Sequence, residues 1–228
     1  MNSDASSSSS QQQRHQTTIP FNAIAAMSAE TRGIGKNNRL PWSIPEDYAY
    51  YMRVIRTTRD PAKVNAVILG RLTWQSMPED ERPHRSCITV IVSRNFNPSD
   101  IASSDTTPIQ PVEVCGSLDE AKRLIYAKYA HRVESMYSLG GGELYGRAAL
   151  SPDFHRFYLT RVFGPVECDV FIEPVDFLAG FRRVHEHELA QEAALYQCEY
   201  NKLKKHTTTD SSSTPLEYIF EVYEKIKN

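Results

Sequence analysis

Residues 134–150 read ESMYSLGGGELYGRAAL: a short run of strand character, three glycines in succession, then a helical pattern. Strand, glycine turn and helix in that order is the unit from which parallel sheets are assembled. The bare amides of Gly140, Gly141 and Gly142 at a helix start can approach a phosphate with no side chain intervening. The plainer alternative is a tight turn in which glycine supplies positive φ. On this stretch alone both readings stay open.

Outward from it the same unit recurs. "KVNAVILG" (63–70) is a buried strand and "RLTWQSM" (71–77) a short helix. "CITVIVSR" (87–94) is another buried strand, and "VEVCG" (112–116) a shorter one leading into the helix "SLDEAKRLIYAKYAHR" (117–132). Ser117 and Glu120 stand there at capping-box spacing. "FNAIAAM" (21–27) is the first strand, and the helix after Pro45 places apolar or aromatic residues at 48, 51, 52 and 55, the spacing of one face. "FHRFYLTRVFG" (154–164) is strand-like. "ALYQCEYNKLKKH" (194–206) and "LEYIFEVYEK" (216–225) read as a hairpin around the surface loop "TTTDSSST" (207–214). The pattern predicts an α/β fold with a largely parallel sheet in one domain, residues 19–228. Met1–Thr18, polar and of low complexity, predicts a disordered arm. One arginine and no large apolar residue after Met1 argue against a transit peptide.

A chain of 228 residues can bury one sizeable core. Its net charge of −2 comes with Lys and Arg scattered along the chain, which argues against nucleic acid or an anionic membrane surface and leaves a small molecule as partner. Cys87, Cys115, Cys168 and Cys198 lie far apart without metal-ligand spacing and read as buried thiols in a reducing compartment. No metal is implied. No apolar run approaches the ~18 residues of a membrane span and no secretory signal core is visible, so the expected location is the cytoplasm.

"GIGKN" (33–37) matches a dinucleotide fingerprint only in part, because Asn38 stands where the third glycine belongs and Pro41 prevents a long helix. A flexible glycine loop over a site fits better. Arg71 and Arg94 end buried strands, at the edge where open α/β sheets bind ligands. Pro45, Glu46 and Asp47 make an ordinary helix start. Asp47 differs from Glu46 because Tyr51 and Val54 follow it at i+4 and i+7, on an apolar and aromatic face.

"GIGKNNRLPWSIPED", "VILGRLTWQSMP", "IVSR", "LGGGELY", "YLTR" and "FEVYEK" occur in an order and spacing that resemble the dihydrofolate reductase family, from about Ile19 to Lys227. The resemblance implies a mixed, mostly parallel eight-stranded sheet flanked by helices, with the last strand antiparallel. It implies a monomer that transfers hydride from C4 of NADPH to C6 of 7,8-dihydrofolate, coupled to protonation of N5. Asp47 matches the family's active-site acid, Trp42 the tryptophan that helps hold a water beside it, and Thr160 the threonine bonded to the carboxylate. Ile24, Tyr48, Tyr51, Met77, His84, Cys87, Leu139 and Tyr145 fall at substrate-lining positions. Ala26, Ile34, Gly35, Gly70, Arg71, Thr73, Ser93, Arg94, Gly140, Gly141, Gly142, Glu143 and Leu144 fall at cofactor positions, and Gly33–Leu40 match a mobile loop.

One part of the pattern is altered. Where the family carries the arginine that clamps the α-carboxylate of the folate tail, "RPHRSCITVIVSR" has Cys87, and a thiol cannot form that bidentate pair. Tyr51 stands in place of a phenylalanine and His84 in place of an apolar residue. Either Arg85 or His84 supplies the cation in a dihydrofolate reductase, or the enzyme reduces a pterin or imine without the glutamate. The pterin-reading acid favours folate.

Overall fold

The computed structural model describes residues 18–78, 80, 82, 85–96, 110–206 and 215–227. The predicted arm, apart from Thr18, the loop 207–214 and His84 lie outside them. Period-2 alternation sorts the strands onto two cores. In β1 (Phe21–Ser28), Phe21, Ala23, Ala25 and Met27 join one apolar cluster and Ile24 the other. β3 (Val64–Gly70) divides in the same way, with Ala66 and Ile68 on the first side and Val67 and Leu69 on the second.

Helix α1 (Pro45–Arg56) contributes Tyr50, Val54 and Ile55 to the second core. α3 (Leu118–Tyr129) and α4 (Gly142–Leu150) contribute Leu118, Ala121, Ile125, Leu144, Tyr145 and Ala148 to the first. The short α2 (Arg71–Ser76) leaves β3 directly. The other strands are β2 (Gly33–Gly35), β4 (Ile88–Val92), β5 (Val112–Cys115), β6 (Val133–Ser138), β7 (Phe154–Phe163), β8 (Val170–Phe171), β9 (Phe181–Arg183), β10 (Lys204–His206) and β11 (Leu216–Lys225). The main sheet runs β10-β11-β7-β1-β6-β3-β4-β5, with β9 pairing on β11. From β7 to β5 every pairing is parallel, and β11 lies antiparallel on β7. The expected eight-strand path is present, with the short β9 added.

Three local expectations need correction. The buried face of α1 is Asp47, Tyr50, Val54 and Ile55; of the expected 48/51/52/55 only Ile55 is fully buried, Tyr51 and Met52 are half-buried and Tyr48 is exposed. The reason is Tyr50, whose ring stacks on Phe220 at 4.2 Å between centroids and whose hydroxyl lies 3.2 Å from that of Tyr200. The hairpin is shorter than its apolar pattern, because 190–195 form α5 (Ala190–Leu195) and, apart from an isolated bridge from Tyr200 to Phe220, the antiparallel pairing with β11 is confined to Lys204–His206. At α3, Ser117 Oγ accepts from the Glu120 amide at 3.2 Å, but the Glu120 carboxylate accepts from Gly116 at 2.8 Å, one residue before the cap.

All four cysteines are free; Cys87 and Cys115 are buried, Cys168 and Cys198 half-buried. Among the described residues no helix is long and apolar enough to cross a membrane.

Candidate active site

The parallel strands bring their C-terminal ends to one edge of the sheet, and the predicted site residues arrive there. β1 and β7 run side by side with Ala26 opposite Thr160. β3 ends at Gly70, whose amide donates to the Gly140 carbonyl at 2.7 Å, and the Leu139 amide just after β6 donates to Ile68 at 2.8 Å. Gly70 and the triple glycine are thereby fastened together. The Gly140–Gly141 peptide is cis, and α4 starts at Gly142.

Asp47 enters this edge from the first turn of α1. It is only 8% exposed, and Thr160 Oγ1 donates to its Oδ1 at 2.6 Å. Burial raises its carboxyl and the Thr160 bond lowers it; burial prevails and the pKa stands at about 6. Neighbouring Glu46 takes the ordinary part of a helix-start acid. Burial raises it too, but bonds from Lys204, at 2.5 Å, and Tyr218 leave it below its usual range. Two adjacent acids on one turn are thus driven apart, the arrangement that separates an acid working near neutrality from a structural carboxylate.

Tyr145 donates to the Ile24 carbonyl at 2.7 Å, and the Asp47 charge, after burial, adds to the upward shift of its hydroxyl. Trp42 is buried, and its indole N–H finds no acceptor among the described residues. Such a buried donor calls for a water or a substrate atom. Ile24, Trp42, Cys87 and Leu139 share one apolar cluster, against which Ala26, Tyr51 and Met77 pack; Ile34 and Leu144 belong with the other. Tyr48 is 40% exposed, its ring 6.1 Å from that of Tyr51. Cys87 turns inward, its Sγ 3.2 Å from the Ile55 carbonyl oxygen, and burial pushes the thiol up to about 11.

Of the residues that follow β3 and β4, Arg71 reaches Gln75 at 2.8 Å and Ser93 Oγ accepts from the Asn95 amide at 3.3 Å, while Arg94 is exposed. Glu143 pairs with Arg147 at 2.7 Å on the surface of α4. A methyl group on Gly141 would meet only Thr73 Oγ1, at 3.7 Å. The open space over this glycine, at the start of α4, fits a diphosphate.

The loop Gly33–Leu40 is held at its base in a way the sequence reading missed. β2 pairs antiparallel with β8, Lys36 pairs with Glu167, and the Asn37 amide donates to Asp169 at 2.9 Å. No periodicity marks a two-residue strand, so only an acid pair following Pro165 hinted at these partners. A cleft of about 660 Å³ lies between this loop and Pro165–Glu167, without Asp47, Thr160 or Tyr145 in its lining. The acid, being buried and shifted in pKa, defines the centre of the site better than that cleft does.

Removing the Thr160 bond tests the electrostatic account. Thr160→Val is expected to raise the Asp47 pKa further, by roughly one unit for a hydrogen bond of about 1.5 kcal/mol. Carboxyl titration of the free protein by NMR reads the shift directly, and an unmoved or lowered pKa would contradict the assignment.

The dihydrofolate reductase family profile matches residues 20–224. The chain is 31% identical over 193 residues to dihydrofolate reductase of Drosophila melanogaster, covering 83% of this chain and 100% of that one. It is 30% identical over 208 residues to that of Heliothis virescens, covering 91% and 98%. With the bifunctional dihydrofolate reductase-thymidylate synthase of Zea mays it shares 37% identity over 155 residues, 68% of this chain, and spans only 29% of that protein. The solved Schistosoma mansoni dihydrofolate reductase superposes with a TM-score of 0.67 at 26% identity, over 91% of this chain and 99% of the other.

Proposed function

The chain belongs to the dihydrofolate reductase family, and from that premise we propose that it reduces 7,8-dihydrofolate to tetrahydrofolate with NADPH. The observation that carries the reading is Asp47: a buried carboxyl at about 6, bonded to Thr160 on the neighbouring strand. A carboxylate there reads the amidine-like edge of a pterin, and its protonated form is an acid of suitable strength for N5, with a water relaying the proton. Trp42, whose buried N–H has no partner among the described residues, would hold that water. NADPH, when bound, supplies the hydride.

The chain's own groups hold and align. Gly140–Gly142 and Thr73 receive the diphosphate, Arg71, Ser93 and Arg94 the 2'-phosphate, and Ala26, Ile34, Gly35, Gly70, Glu143 and Leu144 line the rest of the cofactor's path. Ile24, Tyr48, Met77, Leu139 and Tyr145 flank the pterin and exclude water, so that two rings meet in a dry cleft. We place the protein in the cytoplasm as a monomer; its free thiols suit a reducing compartment.

The deciding assay follows NADPH oxidation with dihydrofolate. Turnover is expected, with kcat/KM for NADPH exceeding that for NADH by about two powers of ten from charge-assisted contacts to the 2'-phosphate. No turnover would refute the substrate, and equal values would remove the roles of Arg71 and Arg94. The acid must be protonated to donate, so kcat/KM for dihydrofolate should fall as pH rises through about 6, the value for Asp47 in the free enzyme.

A further inference from the structure

Dihydrofolate carries two carboxylates on its glutamate tail, and Cys87, neutral and buried, can neutralise neither. We propose that Arg56, in the last turn of α1, is the tail's carboxylate anchor, the cation having moved from the strand side of the pocket to the helix side. This rests on the reading of the chain as a dihydrofolate reductase. Cys87 Sγ lies 3.2 Å from the carbonyl oxygen of Ile55, so position 87 is one peptide away from Arg56. Tyr51, on the same helix, presents a hydroxyl that is buried and has no hydrogen-bond partner among the described residues. Burial raises both the Tyr51 hydroxyl and the Cys87 thiol, and the Arg56 charge lowers both by a smaller amount.

The neighbouring arginines are already engaged. Arg53 donates to the Tyr196 carbonyl at 2.6 Å, and Arg59 lies 3.7 Å from Glu192. Arg56 is exposed and makes no hydrogen bond or ion pair among the described residues. An arginine ending a helix ordinarily complements the dipole and nothing more. Here it shares its helix with the unpartnered Tyr51 hydroxyl and follows the residue whose carbonyl Cys87 touches, and a guanidinium with an O–H is a donor set matched to a carboxylate. Of the two substitutes expected from sequence, Arg85 is exposed and His84 lies outside the described residues.

The test compares wild type, Arg56→Ala, Arg56→Lys and Arg85→Ala on two substrates, dihydrofolate and a 7,8-dihydropterin bearing only a methyl group at C6. Arg56→Ala is expected to raise KM for dihydrofolate by about ten- to a hundredfold with kcat nearly unchanged, and Arg56→Lys to recover part of the loss. The methyl dihydropterin, having no carboxylate, should show the same KM in all four proteins. An unchanged KM for dihydrofolate in Arg56→Ala, an equal rise for both substrates, or a rise confined to Arg85→Ala would overturn the anchor while leaving the enzyme a dihydrofolate reductase. Wild type that turns over the methyl dihydropterin but not dihydrofolate would overturn the substrate reading, and the anchor with it.

Discussion

Asp47→Asn is expected to lower kcat for dihydrofolate by roughly two to four powers of ten, the range of positioned acid–base catalysis, while NADPH affinity stays within about twofold of wild type. The amide keeps the volume of the carboxyl but has no proton to exchange near pH 6, and it turns an N–H toward a pterin edge that itself donates. Thr160 Oγ1 can still bond the amide oxygen, so the local geometry survives. Single-turnover measurement of the hydride step, with a fluorescence titration of NADPH, separates the two quantities. Turnover near wild type at neutral pH would make Asp47 a helix-start residue and nothing else.

The same substitution should make the protein more stable at neutral pH. Burial holds the Asp47 carboxyl at about 6 in the folded chain, whereas an unfolded aspartate titrates near 4. The folded state therefore binds the proton more tightly. The stability this provides is complete below about pH 4 and is lost as pH rises through about 6. Two units correspond to at most about 3 kcal/mol, and the asparagine variant lacks that dependence. Denaturant titrations of both proteins should show the variant gaining on wild type between about pH 4 and pH 7, and a gain toward acid instead would reverse the sign of the Asp47 shift. Loss of activity joined to gain in stability is the signature of a group retained for chemistry at a cost to the fold.

How much of this could be read in the sequence depends on the length scale of each signal. The strands were visible because alternate residues go to two cores, as Ala66 and Ile68 against Val67 and Leu69 do. Asp47 stood out because a carboxylate on the Tyr51–Val54 face needs a reason that Glu46 does not. The turn of α1 toward Tyr50 could not be read, since six aromatic or large apolar residues crowd that helix and the choice among them is made by Phe220 and Tyr200, far along the chain. β2 and β8 are too short to have a period, and their pairing is set by tertiary contacts alone. Cys87 was legible as a departure from a family pattern. Arg56 was not legible as its counterpart, because only the fold sets Ile55 against Cys87.

Gly140→Ala and Gly141→Ala should have opposite consequences, although the residues are adjacent. Gly140 has φ +93, and a methyl group there would lie 2.4 Å from the ring of Tyr145. That ring is buried and fixed at its far end by the hydroxyl bond to Ile24, so it cannot swing aside. Positive-φ strain and overpacking together should cost roughly 3 kcal/mol, lowering Tm by about 6 to 12 °C in a domain of this size, with or without cofactor. Gly141 has φ −70, and its added methyl would make only ordinary contact with Thr73 Oγ1 at 3.7 Å. Gly141→Ala should therefore melt within a degree or two of wild type. If the open space over Gly141 is the diphosphate's, the methyl displaces the phosphate from the helix-start amides, and NADPH affinity should fall by about ten- to a hundredfold at the cost of one or two charge-assisted bonds. Thermal melts of the two variants alone and with NADPH distinguish these effects. If Gly141→Ala binds NADPH as wild type does, the triple glycine is a turn that closes on Tyr145 and Gly70, and the phosphate reading of it is lost.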